Sequence, residues 1–492
     1  MFRPSRRITA AIVESALQDG GNGRWQHGIA PLDSVCRNCL GLSPASVTFG
    51  KPHDVGGIVK TSPWIAGICF GPDTAATHIG VQRLWLGSEF LERLLGCQPK
   101  HFVLFTLIVC IKIDVNQSKL DPVARKGENT MKNGLEDVIA AETQLSDVDG
   151  EAGRLIIRGV SLDHLVSTAT YESVAALLLD GLTERHFGPA ELGDWLGEMR
   201  VRIFAHVAAL QSDLLALPPV DAMRALIARL PDGEDFEAAL RLLAAPAVFL
   251  PAILRLQAGN EPVAPDASLP QAADILRMLT GRMPSAEQKA ALDAYLVTIS
   301  DHGLNASTFA SRVIASTRAG LTSSVLAAIS ALKGPLHGGA PGPVLDMFDE
   351  IGASENARGW LGGALDRGER LMGFGHRIYR VRDPRADALK KALRPLVLAG
   401  QVDRQRVELS EAVERAALAV LRERKPDRPL DVNVEFYTAL LLDALGFPRE
   451  SFTGVFAIGR TVGWIAHARE QALEGRLIRP RSIYVGPVPQ AA

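Results

Sequence analysis

Four stretches of this 492-residue chain carry side chains suited to chemistry. KGPLHGGAPGPV (333–344) sets His337 in a glycine-rich run, where a second molecule can come close to the backbone. MGFGHRIYRVRDPR (372–385) places His376 after Gly373 and Gly375, then crowds Arg377, Arg380, Arg382 and Arg385 against Asp383. An imidazole titrates near neutrality and can act as acid, base or hydrogen-bond donor. Guanidinium groups grip carboxylates and phosphates through paired hydrogen bonds. That combination suits a small polyanionic substrate. LDVNVEFYTALLLDALGFP (430–448) offers Glu435, either as a carboxylate base or only as a complement to the dipole of a helix start. VFAIGRTVGWIAHA (455–468) holds Arg460 in a nearly all-apolar helix with no acidic residue three or four places away. A guanidinium buried there without a partner costs several kcal/mol. Its partner is therefore another part of the fold or a bound anion. Taken one at a time, His337 reads equally as a helix cap, and the arginines as a solvated basic loop.

The elements that must position these groups are helices. YESVAALLLDGL (171–182), FEAALRLLAAPAVFLPAILRLQ (236–257), QAADILRML (271–279) and AEQKAALDAYLVTI (286–299) have helical spacing or are apolar all round. The helix SSVLAAISAL should stop at Gly334-Pro335 and the next begin near Pro343, which leaves His337 on the connection. Val434, Tyr437, Leu441 and Leu445 mark an amphipathic helix capped by Asn433 and ended by Gly446, with Glu435 in its first turn. Helices at 320–332 and 453–468 are apolar on nearly every side and belong in a deep core or a subunit interface. Only GRLIIRG (153–159) reads as a strand. No strand–helix alternation, dinucleotide-binding glycine pattern or phosphate-binding loop occurs, so the expected architecture is all-α.

Hydrophobic residues make up 47% and charged residues 22%, with a net charge of −2, which gives no reason to expect a nucleic-acid or acidic-membrane partner. The run FVLFTLIVCIKI (102–113) is too short to span a bilayer and contains a lysine, so no membrane segment is expected, and the reading is cytoplasmic. All five cysteines precede residue 111, and helical patterning begins after about Met131. Residues 1–130 thus form an extension without an assigned role, or Met131 is the true start. Cys36 and Cys39 form a lone C-x-x-C with no second pair, which reads as unpaired thiols rather than a zinc site. No histidine or cysteine cluster with metal spacing follows residue 131, so no metal is expected.

From about Met131 onward the chain resembles the citrate synthase family. GPLHGGAPGPV, LMGFGHRIYRVRDPRA, NVEFYTALLLDALGFP and FAIGRTVGW…IRPRS occur in family order, and VDGEAGRLIIRG (148–159) echoes the openings of bacterial members. The resemblance implies an all-α homodimer with the active site in a cleft between two domains. The large domain would be 131–335 plus 446–492, and the small domain 336–445. It implies condensation of acetyl-CoA with oxaloacetate to give citrate and CoA, the entry step of the tricarboxylic acid cycle, with no cofactor because the CoA thioester is a substrate. By resemblance His337, His376 and Glu435 are catalytic. His302, Arg385 and Arg460 bind oxaloacetate, Arg479 is lent by the partner subunit, and Arg380 contacts a CoA phosphate.

Two departures stand out. The usual NVDF reads NVEF here, and one added methylene can move a base by about 1 Å, enough to cost roughly 100-fold. LPQAADILRML (269–279) also differs from many relatives. Two other readings stay open: 2-methylcitrate synthase, using propionyl-CoA, and a non-catalytic CoA- or dicarboxylate-binding paralogue.

Overall fold

The turn DVDG joins two strands, β1 (Ser146–Asp149) and β2 (Arg154–Ile157), and a third, β3 (Val160–Ser161), extends them into an antiparallel sheet of order β1-β2-β3. Only β2 is legible from alternation; its partners are too short and polar to show a period of two. The computed structural model describes residues 134–135, 138–338, 341–428 and 430–487. The segment 1–130, with its cysteine pair, lies outside them, as does Met131.

Everything after the hairpin is helical. In chain order come α1 (Leu162–Thr168), α2 (Tyr171–Leu179), α3 (Pro189–Phe204), α4 (Ser212–Leu215), α5 (Pro219–Ile227), α6 (Phe236–Gln257), α7 (Gln271–Thr280) and α8 (Ala286–Ile299). Then follow α9 (Ala306–Ala315), α10 (Leu321–Leu332), α11 (Pro341–Ile351), α12 (Ala357–Asp366), α13 (Pro384–Leu398), α14 (Arg404–Arg424), α15 (Val434–Ala444) and α16 (Phe452–Glu474). The fold is all-α apart from the hairpin sheet.

Two long helices form the centre. α16 buries residues on every side, from Phe452 to Ala472, and packs against α6, α8, α9 and α10. α6 passes the length and hydropathy test for a bilayer span, contrary to the expectation that no run does. It lies in the core, with 83% of its apolar window buried. α15 also departs from its expected amphipathic pattern. It is sandwiched between α11 and α13, so Val434 and Phe436 to Leu442 are all buried.

The core also holds two charged devices. Arg200 on α3 is fully buried and meets Asp274 of α7 at 2.9 Å, with the Leu269 carbonyl at 2.6 Å. The divergent stretch 269–279 therefore spends its acid on this structural pair. Asp293 on α8 accepts from the Tyr171 N–H at 2.8 Å. Burial, then the nearby Glu172, pushes its pKa up to about 7. A carboxyl raised in the folded state binds more protons folded than unfolded. Its stability contribution is whole below an unfolded pKa of about 4 and is lost as pH rises through about 7. Asp293→Asn keeps the acceptor and removes the charge. It should raise Tm at pH 8, with the gain shrinking as pH falls toward 5, measured by thermal denaturation.

Candidate active site

The site is assembled from helix starts and loops. The loop before α13 carries His376, and α15 begins just after a short antiparallel pairing with that loop. Gly375 N–H donates to the Asp431 carbonyl at 2.8 Å, Asn433 N–H to the Gly373 carbonyl at 2.9 Å, and Phe374 bridges Val432. Gly373 and Gly375 have φ of +82° and +85°. A Cβ on Gly373 would lie 2.9 Å from that of Phe436, and one on Gly375 2.9 Å from a Leu430 methyl. Only glycine fits, so these two positions fix where His376 sits relative to Glu435.

Asp383 ties the pieces together. It caps α13 and is almost fully buried. Its Oδ1 accepts from Arg385 N and Nε, each at 3.0 Å, and its Oδ2 from Arg385 Nη2 at 2.8 Å and from the Val434 N–H at 3.1 Å. One carboxylate thus holds Arg385 and the first turn of α15. Burial works against the Arg385 charge, but Asp383 more than offsets it and its pKa stays raised.

His376 is fixed in one tautomer. Its Nδ1 accepts from the backbone N–H groups of Ile378 and Tyr379, both at 3.1 Å. A neutral ring has one N–H, which must then be on Nε2. Arg385 Nη2 lies 3.1 Å from Nε2. Both atoms carry hydrogens, so neither satisfies the other, and an oxygen set between them accepts from both. Burial, and then the Arg385 charge, lowers the His376 pKa to about 4.

His337 is anchored through Nε2, which lies 2.8 Å from Ser307 Oγ and 3.3 Å from the Ser307 N–H. That N–H is shared with Asn305 Oδ1 at 3.1 Å, and the Oγ also bonds Asn305 Oδ1 at 2.8 Å. Trp464 Nε1 donates to the same Oγ at 3.1 Å, which locks the serine to α16. Burial, then Arg460 and Arg377, lowers the His337 pKa to about 4. Ser307 carries no signal in the sequence beyond lying after the Asn305 cap, so it was missed.

Glu435 is the second residue of α15, and its N–H is taken by the Asn433 cap at 3.0 Å. Burial pushes its pKa up to about 7; Arg385 opposes this and Asp383 adds to it. Its carboxylate makes no ion pair among the described residues. A helix start favours the ionised carboxylate, yet the net shift is upward, so burial outweighs it.

Arg460 is 1% exposed. Its Nε donates to the Ile299 carbonyl and its guanidinium lies 4.8 Å from the Phe456 ring centroid, but Nη2 is buried without a partner. Burial lowers its pKa to about 10 despite the nearby Asp301. Asp301 thus supplies the acid that the arginine's own helix lacks, through its charge rather than through an ion pair. His302 is buried, its ring centroid 5.6 Å from that of His376, and burial followed by Arg385 and Arg460 drives its pKa well below 6.5.

Arg385 is the common neighbour: its charge acts on His302, His337, His376, Glu435 and Arg460. Two expected residues are not among them. Arg380 is exposed, and Arg479 lies exposed on the extended segment after α16. Arg382 corrects the idea that the whole basic run gathers substrate. It pairs with Asp387 at 2.6 Å and Glu414 at 2.7 Å and holds α13 to α14.

Imidazoles, a carboxylate of raised pKa and buried guanidinium groups on an all-α frame suit acid–base chemistry on an anion. The comparisons with known proteins agree. Residues 134–481 match the family pattern described as "Citrate synthase, C-terminal domain". The Mycobacterium tuberculosis protein named "Putative citrate synthase 2" is 40% identical over 366 residues, 73% of this chain and 94% of its own. The Haloferax volcanii citrate synthase is 38% identical over 372 residues, 72% of this chain and 96% of its own. The crystal structure of the Thermotoga maritima citrate synthase is similar with TM-score 0.64 and 31% identity, covering 74% of this chain and 98% of that one. A Thermoplasma acidophilum citrate synthase, solved with carboxymethyl coenzyme A and oxaloacetate, gives TM-score 0.65 and 27% identity, with 74% and 98% covered. The chain belongs to the citrate synthase family and is an enzyme of that acyltransferase type.

The two least exposed arginines, Arg200 and Arg460, should respond oppositely to loss of charge. Arg200→Met strips Asp274 of its buried partner, a change that costs about 3–5 kcal/mol when a pair is broken, and should lower Tm. Arg460→Met removes a guanidinium already short of partners and should leave Tm unchanged or higher. Calorimetric melting of both variants decides it.

Proposed function

We propose that this enzyme is a citrate synthase, condensing acetyl-CoA with oxaloacetate and water to release citrate and CoA. The observation that carries the reading is the convergence of two histidines and a carboxylate on Arg385, whose charge acts on His337, His376 and Glu435 alike. The bound ligands of the Thermoplasma acidophilum relative support it.

A thioester methyl is a very weak acid, so a carboxylate alone removes its proton slowly. Glu435 takes that proton while the His337 ring N–H donates to the developing enolate oxygen. A neutral imidazole suits this task because it stabilises the charge without making the site permanently cationic. The new carbon nucleophile attacks the oxaloacetate carbonyl carbon. His376 Nε2–H and Arg385 Nη2 hold the oxygen, on which negative charge builds. Arg460 and Arg385 hold the carboxylates, with His302 beside them. These charge-assisted bonds contribute roughly 1.5–3 kcal/mol each and fix the electrophile in one orientation. Water then cleaves the citryl thioester. Proton transfer and hydrogen bonding suffice, so the reaction calls for no metal or redox group.

The same reading takes 336–445 as a small domain that closes over the substrates and excludes water from the enol. Exposed Arg380 suits a CoA phosphate at the solvent edge. Arg479, on a segment that also exposes Leu477, Ile483 and Val485, reaches the site of a second copy in a homodimer.

A thiol-release assay tests this. Wild-type enzyme with oxaloacetate should turn over acetyl-CoA faster than propionyl-CoA; the reverse order identifies a 2-methylcitrate synthase, and no release with either identifies a binding paralogue. Glu435→Gln should lose on the order of 100- to 10,000-fold in kcat. The base works ionised, so kcat/KM should rise with pH up to about 7 and then level off. A flat profile from pH 5 to 9 removes Glu435 as the base.

A further inference from the structure

Tyr379 has no assigned part in the reaction, yet it touches both histidines on the oxaloacetate side. It is 3% exposed. Its backbone N–H is one of the two donors that hold His376 Nδ1. Its ring lies 4.8 Å from that of His376 and 5.5 Å from that of His302, and the Arg385 guanidinium sits 5.8 Å from its centroid. Its hydroxyl is 3.1 Å from His302 Nε2. Either group can donate to the other.

We propose that Tyr379 is a positioning residue for the oxo-acid substrate, clamping His302 through its hydroxyl while its backbone sets the tautomer of His376. The argument rests on the reading of the site as an oxaloacetate pocket. His302 follows the end of α8 by three residues, and its ring has no other side-chain hydrogen bond among the described residues. Without the clamp only packing holds the ring, and the wall that faces His376 at 81° is less firmly set. Burial raises the Tyr379 pKa, so the hydroxyl keeps its proton and the clamp is independent of pH across the neutral range.

Tyr379→Phe removes only the hydroxyl. The ring packing and the backbone donor to His376 remain. The KM for oxaloacetate, and its Kd by calorimetry, should rise about tenfold, the upper range for one neutral hydrogen bond. The KM for the CoA thioester and the Tm should stay at wild-type values. A double-mutant cycle supplies the decisive readout. If Tyr379 acts through His302, Tyr379→Phe should have no further effect in a His302→Asn background. Equal effects in both backgrounds, or parallel losses for both substrates together with a lower Tm, overturn the proposal. An unchanged oxaloacetate Kd in Tyr379→Phe overturns it while leaving the citrate synthase reading intact. A wild type that neither binds oxaloacetate nor releases CoA overturns both.

Discussion

Two backbone N–H groups decide what this site can do. Those of Ile378 and Tyr379 occupy Nδ1 of His376. Backbone donors cannot be titrated away or rotated off target. They therefore dictate which ring nitrogen of His376 carries its proton. Glycine at 373 and 375, the pairing of 373–375 with 431–433, and the Asp383 carboxylate all serve to hold those donors, Arg385 and the start of α15 in one arrangement.

Burial supplies the electrostatics. It removes the proton that either imidazole would otherwise share with solvent, and it raises Glu435 into the range where a base is both ionised and competent. The same burial leaves Arg460 with an unpartnered nitrogen. Arg200 is met by Asp274, although its Nη1 is also buried without a partner. On the proposed function, a substrate carboxylate meets Arg460.

Much of this was legible in the sequence because the chemistry-bearing residues sit at helix boundaries, where glycine, proline and capping residues announce themselves. His337 between two helices, and Glu435 after the Asn433 cap, are such cases. Arg460 was legible as an oddity, since a charged residue in an apolar helix needs a reason. What stayed hidden depends on contacts between distant segments. Ser307 and Tyr379 are ordinary residues until the fold brings His337 and His302 to them. The burial of α15 on two faces depends on α11 and α13, which its own periodicity cannot report. Arg382 looks like Arg385 in sequence, and only Glu414, thirty-two positions away, shows that it is structural.

The most direct test reads the ring protons themselves. Nitrogen-15 NMR of histidine-labelled protein at pH 7, with His337→Asn and His376→Asn used to assign the signals, reports the charge and tautomer of each ring. The expected result is two neutral imidazoles, with His376 protonated on Nε2, unchanged down to about pH 5. Either ring as an imidazolium at pH 7, or His376 protonated on Nδ1, contradicts the account.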